Sequence, residues 1–133
     1  MKNILINESQ YKRIFESSAK DNVEIFMSML NDGERIVFDY MYHKAEFYVP
    51  FSRSANEMWG DWIVGLDLYD VAKEASHRFV DVVGEAILSM LREQRMNKDM
   101  YVPNLSTKEK EKVASVMFLH FLELKKERMR TTN

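Results

Sequence analysis

Arg35-Ile-Val-Phe-Asp-Tyr-Met-Tyr-His-Lys-Ala-Glu-Phe-Tyr-Val-Pro-Phe51 decides the fold of this chain, because it is where a sheet would have to lie. The stretch is crowded with aromatic and β-branched residues, which favour strands. Ile36, Phe38, Tyr40 and Tyr42 alternate with Val37, Asp39 and Met41, and Phe47, Val49 and Phe51 alternate in the same way. Period-two alternation predicts a strand with one face buried. Two such runs with a turn near His43-Lys44 predict a hairpin, although the turn has neither Gly nor Asn. Ile36, Tyr40 and Met41 also fit one face of a helix, so the strand reading has a helical rival within the same residues.

On the C-terminal side, Ser52 to Asn56 reads as a polar connection, and Met58-Trp-Gly-Asp-Trp-Ile-Val64 as a further strand or an aromatic loop. Beyond it lie two clear helices. From Leu68 the apolar positions run Val71, Ala72, Ala75, Phe79, Val82, Val83, Ala86, Ile87, Met90 and Leu91, a three-four spacing with Asp67 as N-cap. Gly84 is a mild penalty inside this helix. Asn97 to Asn104, with Pro103, forms the loop, and Ser106 with Glu109 makes a capping box for a helix reaching about Arg130.

On the N-terminal side, Ile4 to Ile6 reads as a short strand leading into a helix capped by Asn7 and Gln10, with Tyr11, Ile14 and Phe15 on its apolar face. A break at Ser17 to Lys20 precedes a short helix through Val23, Phe26, Met27 and Leu30, started by Asp21 or Asn22. Asn31-Asp32-Gly33 ends it, with Gly33 as a left-handed C-terminal residue. The expected architecture is α+β in a single domain, residues 1–133. It comprises an N-terminal strand and helix, a small antiparallel sheet, and two long packed C-terminal helices.

Residues 1–16 resemble the strand-then-helix opening of many tailed-bacteriophage proteins and proteins of their bacterial hosts. The resemblance carries no catalytic residue. It implies a phage-related setting: a virion component, an assembly factor or a small protein that binds a host target. With the lack of a signal peptide or membrane span, the expected location is the cytoplasm of the producing cell, or a virion.

Composition narrows the function classes. The chain has 133 residues with 46% hydrophobic and 30% charged, an ordinary globular balance. With no cysteine, disulfides and thiolate metal sites are excluded. A net charge of -2 gives no global attraction to nucleic acid or to an anionic membrane. The first apolar run is too short for a signal peptide, and no stretch approaches a membrane span.

Candidate chemistry is sparse. His77 and Asp81 lie one helical turn apart with Glu74 and Glu85 near, which suits a metal only if ligands from another element converge. The plainer reading is a solvated face with a charge pair. His120, between Leu119 and Phe121, reads as a buried histidine with one partner or one at a subunit contact, and His43 as a turn residue. Asp61, Asp67 and Asp70 are explained by the start of a helix, which attracts carboxylates. No phosphate loop, nucleophile elbow or His-Glu-x-x-His occurs, so no catalytic residue, metal ligand or cofactor is assigned. Lys108, Lys110, Lys112, Lys125, Lys126, Arg128 and Arg130 are interrupted by Glu109, Glu111, Glu123 and Glu127, a poor phosphate footprint.

The strongest expectation is a non-enzymatic protein-interaction or assembly protein with a protein partner or a second copy. Val113 to Leu124 is apolar nearly all round and needs cover on more than one side. Met117, Phe118, Phe121 and Leu122 of that helix, with Trp59 and Trp62, are the expected partner-binding residues, since such side chains anchor interfaces. A central helix of a single domain would look the same. The competing classes are a small metal-dependent hydrolase and a nucleic-acid-binding accessory protein.

Overall fold

A helix running through the middle of a helical bundle organises the molecule. The computed structural model describes residues 19–63 and 68–131. Their elements are α1 (Ala19–Ser28), α2 (Asp32–Tyr42), α3 (Ala45–Ile63), α4 (Leu68–Met96) and α5 (Thr107–Thr131). The expected strand at Ile4 to Ile6 and its capped helix lie outside the described residues, as does Asp67.

The α+β expectation is overturned: no strand or sheet occurs among the described residues. The stretch 35–51 forms most of α2, a turn, and the start of α3. Three facts explain this. Asn31 is the N-cap of α2, and its side chain accepts from the Glu34 N–H at 2.8 Å while Glu34 Oε1 accepts from the Asn31 N–H at 2.7 Å. That reciprocal box satisfies two of the amide donors that a helix start leaves open. Val37, Phe38 and Met41 are buried together, at the spacing of a helix face. The alternating set of the strand reading is split instead, with Phe38 buried and Ile36 and Tyr42 each 36% exposed.

The turn does fall at His43-Lys44, but it joins two helices, and the Lys44 N–H donates to the Met41 carbonyl at 3.1 Å. Ser52 to Asn56 is no connection either, because it continues α3 and buries Ser54 and Ala55. Phe47, Phe51 and Ala55 form the buried face of α3 at i, i+4 and i+8. Pro50 lies inside it, where it lacks the N–H that would reach one turn back. Gly33 is inside α2, not at a left-handed helix end. Its place there is explained by Pro103, whose Cβ would stand 3.2 Å from any Cβ added to it.

α5 is covered on all sides within the chain. Every residue from Val113 to Glu123 is buried, and α1, α2, α3 and α4 all pack against the helix, α4 most extensively. The buried side chains form one cluster centred on Phe51, Phe79, Val83, Met90, Phe118 and Leu122. Phe79 bridges its aromatic part, 4.5 Å from Phe51 and 6.2 Å from Phe118 between ring centres. Inside it the Ser115 hydroxyl donates to the Ala72 carbonyl of α4 at 2.8 Å, which satisfies a buried donor. No helix among the described residues is long and apolar enough to cross a membrane.

Candidate functional site

The residues expected to meet a partner divide into two groups. Met117 (0% exposed), Phe118 (1%), Phe121 (7%) and Leu122 (1%) are core residues, so in this conformation the chain itself covers them. Trp59 and Trp62 belong to α3, and their side chains lie outside the described residues. The apolar character of α5 is thus absorbed by the fold.

The titratable candidates do not converge. The nearest charged partner of His77 is Glu111 of α5, 3.3 Å away, and Asp81 lines a groove further along α4. No group of three His, Cys, Asp or Glu side chains able to hold a metal occurs among the described residues. His43 Nδ1 lies 2.8 Å from the Asp39 carbonyl at the end of α2. Asp70 is exposed in the first turn of α4, and the Asp61 side chain is not among those described. The basic residues at the start of α5 diverge: Lys112 turns inward to Glu34 at 2.8 Å, whereas Lys110 borders the groove.

Two polar clusters are built into the bundle. His120 is buried against Phe38, Tyr42 and Phe121, with ring centres 5.9, 5.0 and 5.7 Å away and all edge-on. Its Nε2 lies 3.2 Å from the Tyr42 hydroxyl, and its Nδ1 is buried with no hydrogen-bond partner among the described residues. Burial holds its pKa below the ordinary histidine value, because an imidazolium there would lack compensation. The second cluster ties the α2–α3 turn to α4. The Tyr40 hydroxyl bonds Glu93 and lies 2.7 Å from Ser89 Oγ, while Lys44 sits 3.2 Å from Glu93 and 4.9 Å above the Tyr40 ring. The bonds from Tyr40 and Lys44 lower the Glu93 pKa, and the bond to Glu93 raises that of Lys44. Both clusters are explained by holding helices together.

Among the described residues, one face of α4 is left uncovered. Its buried set, including Phe79, Val83, Ala86 and Met90, points at α5. About a third of a turn round the helix, Val80, Gly84, Leu88 and Leu91 form a second stripe. Leu88 is 53% and Leu91 43% exposed. An open groove of about 600 Å³ runs beside this stripe, with Ile87 also lining it. Asp81 and Glu85 form its α4 rim, and Thr107 and Lys110 of α5 its other rim. At Gly84 an added Cβ would meet nothing within 4 Å among the described residues.

Sequence reasoning missed this surface. Leu91 and Ile87 counted as core, Leu88 stood outside the set, and Gly84 was only a penalty. The available signal was breadth: the apolar arc from Phe79 to Leu91 is wider than one bundle contact uses.

No family model, no curated protein and no solved structure matches this chain. Nothing in these comparisons supports the phage-related, virion or assembly setting implied by the opening residues.

Proposed function

We propose that the chain is a non-enzymatic protein-interaction module whose working surface is the outer face of α4. The observation that carries this reading is the Val80–Gly84–Leu88–Leu91 stripe, with two leucines about half exposed beside an open groove. Single exposed apolar residues are ordinary, but a contiguous run at helical spacing marks an interaction site. The helix-in-groove mode places its anchors at i, i+3, i+4 and i+7, and the steps of four, four and three along this stripe keep to the same face. The surface replaces the α5 residues as the place where a partner is met.

The test is a Leu88→Asp/Leu91→Asp variant. Both side chains are exposed enough for the fold to survive, so helical circular dichroism and melting should stay close to wild type. Wild-type protein should associate, with itself or with a co-purified protein, and the variant should not. Equal association by both proteins would move the working surface elsewhere.

A further inference from the structure

We infer that the α4 groove is filled by α4 of a second copy of this chain, running parallel to the first about a two-fold axis. The inference rests on the outer face of α4 being the working surface, and three observations extend it to this occupant. The first is Gly84. A glycine inside a helix costs roughly 0.5–1 kcal/mol relative to alanine, and no atom among the described residues occupies the space its missing Cβ leaves open. The packing of the described residues therefore does not require it. A helix crossing at Gly84 does, since the two backbones can then approach closely.

The second observation is the distribution of charge across the groove. Asp81 and Glu85 stand on one rim of the groove, and Lys110 stands on the other. A two-fold axis parallel to α4 sets each rim against the opposite rim of the other copy. Asp81 and Glu85 of one chain then face Lys110 of its partner, on both sides of the seam. A two-fold axis perpendicular to α4 through Gly84 would instead gather Asp81 and Glu85 of both copies round the axis. Four carboxylates would repel there. The rims are complementary to themselves in the parallel arrangement alone.

The third observation is extent. From Val80 to Leu91 the seam runs about 17 Å at 1.5 Å per residue. At a helix width of about 10 Å that strip covers roughly 170 Å², well below the ~800 Å² per partner of a standard stable interface. The dimer is accordingly weak and dependent on concentration, and the rim charges make it sensitive to salt. His77, held by Glu111, and Arg95 mark the two ends of the apolar seam.

The experiment uses the full chain and its natural lack of cysteine. Sedimentation over a wide concentration range should show a reversible monomer–dimer equilibrium. Lys110→Glu should weaken it on the order of tenfold. Mixing that variant with Asp81→Lys/Glu85→Lys should restore a heterodimer. A Leu88→Cys variant should be joined to itself by a short bis-thiol reagent, because Leu88 faces Leu88 in the parallel dimer. A strict monomer at every concentration overturns the second copy as occupant, leaving the face to residues 1–18 or to a different protein. A dimer in which Val80→Cys joins Leu88→Cys, and Leu88→Cys does not join itself, overturns the parallel arrangement. A dimer that survives Leu88→Asp/Leu91→Asp overturns the α4 face altogether, and the proposed function with it.

Discussion

The two glycines with described surroundings, Gly33 and Gly84, carry opposite instructions. Gly33 sits in the first turn of α2 with Pro103 close enough that a Cβ would lie 3.2 Å from its ring carbon. Gly84 sits in the middle of α4, with nothing among the described residues within 4 Å of an added Cβ. Gly84→Ala should therefore raise the unfolding free energy of the monomer by roughly 0.5–1 kcal/mol, through lower chain entropy and better helix propensity. Gly33→Ala should show none of that gain, because Pro103 has to give way. Chemical denaturation of the two variants checks the pair, and a gain of equal size at Gly33 would contradict the packing described for it. His120 makes a different prediction. Its folded pKa lies below the ordinary 6.5, so the unfolded chain takes up the proton first. Stability is full above about pH 6.5 and falls as the pH drops through the histidine range. His120→Leu should remove that step from a pH series of melting curves. The separate loss expected below the ordinary carboxylate value of 4.5 should remain, since Glu109 is held low by the Ser106 N–H and Glu93 by Tyr40.

At the scale of elements, the starts of α2 and α5 are stitched to one another. Asn31 caps α2, and its amide donates to Glu109 Oε2 at 3.0 Å. Glu109 in turn closes the capping box of α5 by accepting from the Ser106 N–H at 2.8 Å. Lys112 of α5 reaches back to the fully buried Glu34 at 2.8 Å. Removing one partner of a buried pair costs more than the pair contributes, because a charge is left uncompensated. Lys112→Met should cost about 3 kcal/mol. Glu34→Gln in the same chain should recover part of that loss, since Gln keeps the acceptor for the Asn31 N–H without the charge. A double variant as unstable as Lys112→Met would show that the Glu34 charge is not the cause.

The same elements show what could be read from the sequence. The Ser106–Glu109 box and the three-four spacing of α4 and α5 were legible because each is a local pattern. The Asn31–Glu34 box is equally local, but Asn31-Asp32-Gly33 also resembles a helix stop, and the aromatic content of 35–51 resembles a strand. Burial of Val37, Phe38 and Met41 against α5 decides between them, and that contact is not local.

At the scale of the whole molecule, α5 and α4 exchange the roles their sequences suggest. The most apolar segment, Val113 to Leu124, is the inner axis of the bundle, and its anchors Met117, Phe118, Phe121 and Leu122 are spent on the chain's own core. The more evenly amphipathic α4 keeps a stripe in reserve. Sequence hydrophobicity says how much cover a helix needs, not how much the remaining chain supplies, so the candidate surface became visible only in three dimensions. Its central claim is tested most directly by one photo-cross-linking measurement. A photoreactive side chain is placed at Leu88, and at the exposed Arg53 of α3 as control. The Leu88 protein should form a discrete intermolecular adduct that Leu91→Asp abolishes, and the Arg53 protein should form none. Equal adducts at both positions would contradict the assignment of α4 as the surface through which this protein acts, and none at Leu88 at any concentration would contradict a second copy as its occupant.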